Sequence, residues 1–410
     1  MTCTERLRRS LQVVLPVRDI LERRVDDAAV PAWCEARGWT QFLLGLDERA
    51  VRECEAHGLA ALLPTLPGAP QSLLELASDV VTSTALPMLA GATALPQEAL
   101  RSVRFRKRTQ LSALLAAVSG MANDAERIVD VGAGSGHFTR LSAALFQRDA
   151  LGLEQNPARV ASAQKRAQNR DPSIAVGAQA TFLTVDARQA LRFAENDLAI
   201  GLHACGELGD RLVEAAAIAR CDLALVSCCL QKISNPTRAP LSTTAHGVNL
   251  RREHLGLTNL TAQPQGVEAS IDVTIAARQT RYALGQLLRA RGLALEPGAE
   301  MSGINRRQAN AGLGVVAAKA LALRDLPAPS DAEIAHHASL AARDYALIRR
   351  LSLPRSMLAR PVEVLVSLDR AAHLEEQGLD VSVATLFERD VSPRNIGIFA
   401  SRCRSRLPAS

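Results

Sequence analysis

One stretch limits what this chain can fold into more than any other: Ile128-Val129-Asp130-Val131-Gly132-Ala133-Gly134-Ser135-Gly136-His137-Phe138-Thr139-Arg140. It reads as a short apolar strand, a glycine turn and the start of a helix. Gly132, Gly134 and Gly136 have no Cβ where the chain bends, and with Ala133 they form a turn whose backbone N–H groups can approach a ligand closely. A helix opening at that turn adds unpaired N–H groups and the positive end of its dipole. The spacing is G-x-G-x-G rather than the G-x-G-x-x-G of dinucleotide sites, which disfavours a nicotinamide dehydrogenase.

The next segment sharpens this. Ala150-Leu151-Gly152-Leu153 runs into Glu154, and Gln155-Asn156-Pro157 then opens a helical stretch. An acid ending the second strand, about 20 residues past the glycines, is placed to accept hydrogen bonds from ribose hydroxyls. The chain goes on with a helix over Ala158 to Arg170 and a third strand, Thr181 to Ala187, containing Asp186 near its end. A fourth strand, Leu198 to Leu202, enters His203-Ala204-Cys205-Gly206. A fifth, Leu223 to Ser227, enters Cys228-Cys229-Leu230-Gln231-Lys232. In open α/β sheets ligands bind at the carboxyl ends of the strands, so His203 and Cys205 stand where two reactants should meet.

These residues resemble the class I S-adenosylmethionine methyltransferases. Val-Asp-Val-Gly-Ala-Gly-Ser-Gly looks like their first motif and Glu154 like their ribose-binding acid. The resemblance implies a Rossmann-like seven-stranded sheet, mostly parallel with an antiparallel last strand, and S-adenosyl-L-methionine as cofactor. It places Asp130 near the methionine end of the cofactor. It assigns Asp186 to the adenine amino group, with the backbone of Ala187 beside the ring; an N-cap for Arg188 to Ala194 is a compatible second role for Asp186. Gly132, Ala133, Gly134, Gly136, Gln155 and His203 complete the expected cofactor contacts.

The Leu-His-Ala-Cys-Gly segment followed by Cys-Cys-x-x-Lys is similar to the methyltransferase-like protein 25 group, which includes proteins named ribosomal RNA adenine dimethylase domain-containing. More distantly it resembles tRNA ribose methyltransferases with a paired-Cys segment. Arg106-Lys107-Arg108-Thr109-Gln110 and Ser392-Pro393-Arg394-Asn395 match the group's basic segment and its ending. Members that carry a His shortly after the Cys pair differ from this chain, which has Leu230-Gln231-Lys232 there. The group implies methyl transfer to RNA, tRNA or rRNA. A protein acceptor is the alternative, as is a non-catalytic module that binds the cofactor and recognises RNA or a ribosomal protein. His203 is expected to act as base or orienter, with Cys228 and Lys232 as further catalytic candidates. Lys232 as a plain solvated loop charge is an equal reading.

The 410 residues suffice for two domains: a helical N-terminal domain over 1–100 and the methyltransferase domain over 101–410, with a helical and loop-rich insertion over about 234–350 after strand five. Net charge is +6 and pI about 9.1, compatible with an acidic partner and equally with a solvated surface. The eight scattered Cys and the lack of a signal-like start lead us to expect reduced thiols in a cytoplasmic protein. Adjacent Cys228 and Cys229 should point to opposite faces of a strand, so small packed residues are expected there rather than a metal site. No uncharged apolar run is long enough to predict a membrane span. Trp33 and Trp39 are expected as core anchors, and His336-His337 as exposed helix residues.

Overall fold

The computed structural model describes residues 1–89, 91–95, 103–168, 178–186, 191–262, 268–295 and 298–408. Its centre is a sheet whose strands are β1 (Arg127–Val131), β2 (Asp149–Glu154), β3 (Ala180–Thr184), β4 (Asp197–Ala204), β5 (Asp222–Ser227), β6 (Asp380–Thr385) and β7 (Ile396–Ser401). The seven strands lie in the order β3-β2-β1-β4-β5-β7-β6. The first five are parallel, and β7 runs antiparallel between β5 and β6. This is the Rossmann-like seven-stranded sheet, mostly parallel with an antiparallel last strand, that the resemblance to class I methyltransferases implied. β4 and β5 are buried along almost their whole length, as central parallel strands covered on both faces must be.

The chain divides into two compact units, each built from separated stretches. One comprises Met1–Arg18, Asp79–Pro264 and Leu358–Ser410 and holds the whole sheet; the other comprises Asp19–Ser78 and Gln265–Met357. The division therefore does not run at a single boundary near residue 100.

In the sheet unit, α1 (Cys3–Val14) packs on the C-terminal part of the chain, where the Glu375 carboxylate accepts from the backbone N–H groups of Cys3 and Thr4 at 2.7 and 2.9 Å. An anion at a helix start satisfies orphan donors and the dipole together. The helices that matter for the site are α2 (Phe105–Ala117), α3 (His137–Phe146), α4 (Pro157–Gln168) and α5 (Glu207–Ala219). α2 begins inside the basic run, so Lys107 and Gln110 sit on a helix whose position is fixed by packing.

The other unit is helical. Its longest elements are α6 (Glu268–Ala290) and α7 (Asp331–Met357), which pack around Leu284, Leu287, Leu288 and Ala341. Arg349 pairs with both Glu48 and Glu55. Trp33 and Trp39 are both buried, and the Trp39 indole donates to Ser72 Oγ at 2.9 Å. His336 is exposed as expected, but His337 is buried because α7 turns that face inward.

In the sheet unit, α8 (Ala359–Glu376) departs most from its sequence pattern. A one-sided amphipathic helix is the expectation over Pro361 to Gly378, yet α8 buries Glu363, Asp369 and Arg370 along with its apolar residues. Among the described residues no helix is long and apolar enough to cross a membrane.

Candidate functional site

β1 occupies the middle of the sheet, with β2 and β3 on one side and β4 onward on the other, so the chain reverses its winding direction at the β1/β4 junction. The crevice beyond that junction is where such sheets bind ligands. Gly132, Gly134 and Gly136 all have positive φ, at 78°, 58° and 72°. A Cβ at Gly132 would come no nearer than 4.0 Å to Leu208, and at Gly134 only the turn's own carbonyl lies within 4 Å, so space above both stays open. Gly136 is glycine for another reason as well. A Cβ there would stand 2.5 Å from the Phe182 ring of β3.

Glu154, buried at the tip of β2, binds the turn directly. Its carboxylate accepts from the N–H of Gly134 and of Asn156, both at 3.0 Å. Gln155 beside it is exposed. Asp186 is two residues beyond the Glu154–Thr184 register pair and half-buried, which brings the second acid to the neighbouring strand tip. Ala187 lies outside the described residues. The open space at Gly132 and Gly134 and the carboxylate beside it fit an adenosyl cofactor: a carboxylate with two bonds made still has lone pairs for ribose hydroxyls.

Asp130, at the other side of the turn, is buried and accepts from Thr139 Oγ1 at 2.6 Å. Burial pushes its carboxyl up to about 6, opposed by the Thr139 hydrogen bonds and by the Lys107 ammonium. Lys107 comes from α2 and has its own pKa lowered by burial, with Asp130 pulling the other way. His203, one residue before the end of β4, has φ +70°, a left-handed conformation that costs a non-glycine residue energy, at a register shift between Leu202 and Ala204. Its Nε2 is 3.1 Å from Gln110 Oε1 of α2. Burial and the nearby Lys107 push its pKa down to about 4, so the ring is neutral near pH 7 and suits an orienting hydrogen bond better than proton abstraction.

The strand ends β4 and β5 bring Cys205 and Cys228 together, and their sulfurs are bonded as a disulfide. This corrects the expectation of eight reduced thiols; the register of two adjacent parallel strands, not the residue spacing, sets the pairing. Cys229 Sγ lies within 4.8 Å of both, so the adjacent cysteines do not point apart: β5 ends at Ser227 and the pair sits on a loop. Lys232 is exposed, and its carbonyl accepts from Glu207 N at 2.9 Å.

The group that holds these two loops in place has no signal in the sequence pattern. Arg370 of α8, fully buried, donates to Gly206 O at 2.8 Å, Ser227 Oγ at 2.6 Å and Asp210 Oδ1 at 2.8 Å. Arg238 bridges Asp210 and Asp369, both at 2.8 Å. Burial alone would raise the Asp210 pKa, but the two guanidinium groups hold it below the usual carboxylate value.

Residues 106–236 match the family model described as a methyltransferase domain. The glycine turn, Glu154, Asp186 and His203 all lie inside the matched segment. No curated protein matches the chain. Among solved structures, a magnesium protoporphyrin IX methyltransferase from Synechocystis PCC 6803 with bound SAH is similar at 21% identity and a TM-score of 0.26, over 32% of this chain and 63% of that one. YjhP from E. coli is similar at 19% identity and a TM-score of 0.25, over 31% of this chain and 52% of that one. The matched part thus spans between about half and two thirds of those chains.

Gln110, Thr139 and Arg370 join the candidate site only through the structure. Gln110 had a faint signal as the end of the basic segment, but Thr139 and Arg370 had none.

Proposed function

We propose that this protein transfers the methyl group of S-adenosylmethionine to RNA, a tRNA or an rRNA. The observation that carries this reading is the start of α2. Of its consecutive cations, Lys107 is close enough to Asp130 and His203 to shift both, while Arg106 donates to Val391 O at 2.9 Å and Arg108 to Val103 O at 2.7 Å. A cationic approach to the methyl-donor site favours a phosphate-bearing acceptor. The likeness of the Cys-Cys-x-x-Lys and Ser-Pro-Arg-Asn segments to the methyltransferase-like protein 25 group supports the same class.

In this reading Gly132 to Gly136, Glu154 with Gln155, and Asp186 with Ala187 hold the cofactor. Asp130 and Lys107 face its methionine end. The bound cofactor supplies a sulfonium leaving group, so the protein's share is positioning and desolvation. Neutral His203, fixed by Gln110, orients the acceptor. Cys228 and Lys232 flank its path from the β5 side.

The experiment adds labelled cofactor and the purified protein to extract from a deletion strain. Ribonuclease-sensitive label is the expected result. Label in protein, or tight cofactor binding with no label anywhere, refutes the RNA assignment.

A further inference from the structure

Around the end of the glycine turn is a second group of basic side chains that the cofactor reading does not use. His137 and Arg140 lie on the first turns of α3, and Arg166 reaches over from α4 to donate to Ser135 O at 3.3 Å. All three are half-buried. They are close enough to act on one another: burial, then Arg140, Arg166 and Lys107, push the His137 pKa down to about 4, and burial, then Arg166, lowers that of Arg140. Among the described residues none of them has a carboxylate partner. His137 Nδ1 and Arg140 Nε are buried with no hydrogen-bond partner.

Burying polar nitrogens without partners, beside like charges, costs folding free energy. A surface that keeps such a cluster without a balancing acid is electrostatically matched to an anion. At Gly136, next to His137 in the chain, the Phe182 ring and Ala163 of α4 fill the space where a Cβ would go.

We infer that His137, Arg140 and Arg166 form a phosphate-binding subsite beside the cofactor cradle, and that it takes a backbone phosphate of the acceptor RNA. Two guanidinium groups offer planar paired donors that suit phosphate oxygens, and the imidazole Nδ1 adds a third direction. The identity of the phosphate rests on the RNA reading above; the existence of the anion site does not.

The test uses the full chain and the double variant Arg140→Gln/Arg166→Gln. In the wild type, inorganic phosphate should raise the His137 pKa followed by NMR, with the resonance assigned by its loss in His137→Gln. The double variant should lose that response. Its calorimetric affinity for S-adenosylmethionine should stay within about twofold, which also shows that it is folded. Binding of total cellular RNA should weaken about tenfold, and the slope of log affinity against log salt should shrink by about 1–2, as expected for two lost phosphate contacts. A His137 resonance indifferent to phosphate overturns the site. Cofactor affinity that falls while RNA binding holds assigns the cluster to the cofactor carboxylate and overturns it too. Phosphate bound by a wild type that binds no RNA upholds the anion site and sinks the RNA reading instead.

Discussion

Glu154→Ala is the sharpest test of the cofactor cradle. The Glu154 carboxylate has two separable tasks in this structure. It accepts from Gly134 N and Asn156 N, each at 3.0 Å, which holds the turn closed against the tip of β2. In the proposed function its remaining lone pairs accept from the ribose hydroxyls. Alanine removes both. Hydrogen bonds to a charged acceptor are worth about 1–3 kcal/mol net, so cofactor affinity should fall roughly 5- to 150-fold. Glu154→Gln separates the tasks, because its single carbonyl oxygen can keep one N–H or serve the ribose but has no charge to offer. Its affinity should lie between those of wild type and Glu154→Ala. Calorimetric titration with S-adenosylmethionine gives the affinities, and urea unfolding of each variant without cofactor gives the cost to the turn itself. A folded Glu154→Ala protein that binds the cofactor as tightly as wild type would refute the ribose assignment, whatever its stability.

Four further outcomes follow from the same structure. Asp130 has its folded-state pKa raised to about 6, so relative to a neutral residue its contribution is fully present below the unfolded value near pH 4 and lost as pH rises through 6. Asp130→Asn should therefore stabilise the cofactor-free protein more at pH 8 than at pH 4 in urea titrations; an equal effect at both contradicts the assignment. Arg370→Met removes the three bonds that tie Gly206, Ser227 and Asp210 to α8 and should cost about 3–5 kcal/mol, read by urea unfolding, with a loss under about 1 kcal/mol counting against the network. Gly136→Ala forces a Cβ to 2.5 Å from the Phe182 ring at φ +72° and should cost about 1–3 kcal/mol in thermal unfolding, partly recovered by Phe182→Leu. With Cys205 and Cys228 bonded, a thiol assay in denaturant without reductant should count six free cysteines, and a count of eight would remove the disulfide.

The sequence, through the resemblance it carries, was enough for the sheet, and it marked the glycine turn and Glu154 that the structure brings together. Alternating elements with apolar strands, a glycine turn and an acid about 20 residues on are local signals, and each depends on φ, on burial period or on a strand end that its own few residues dictate. Glu154 and the turn it closes are therefore legible before any contact is known. What faces them across the crevice is not. Lys107 and Gln110 reach Asp130 and His203 because α2 packs there, and Arg370 reaches Gly206 and Ser227 from more than 140 residues away because α8 is buried on every side. The Cys205–Cys228 bond likewise follows from which strands lie side by side. The residue order carries no mark of such pairings, because their energy comes from burial and partnered charge that exist only once the distant segments have met.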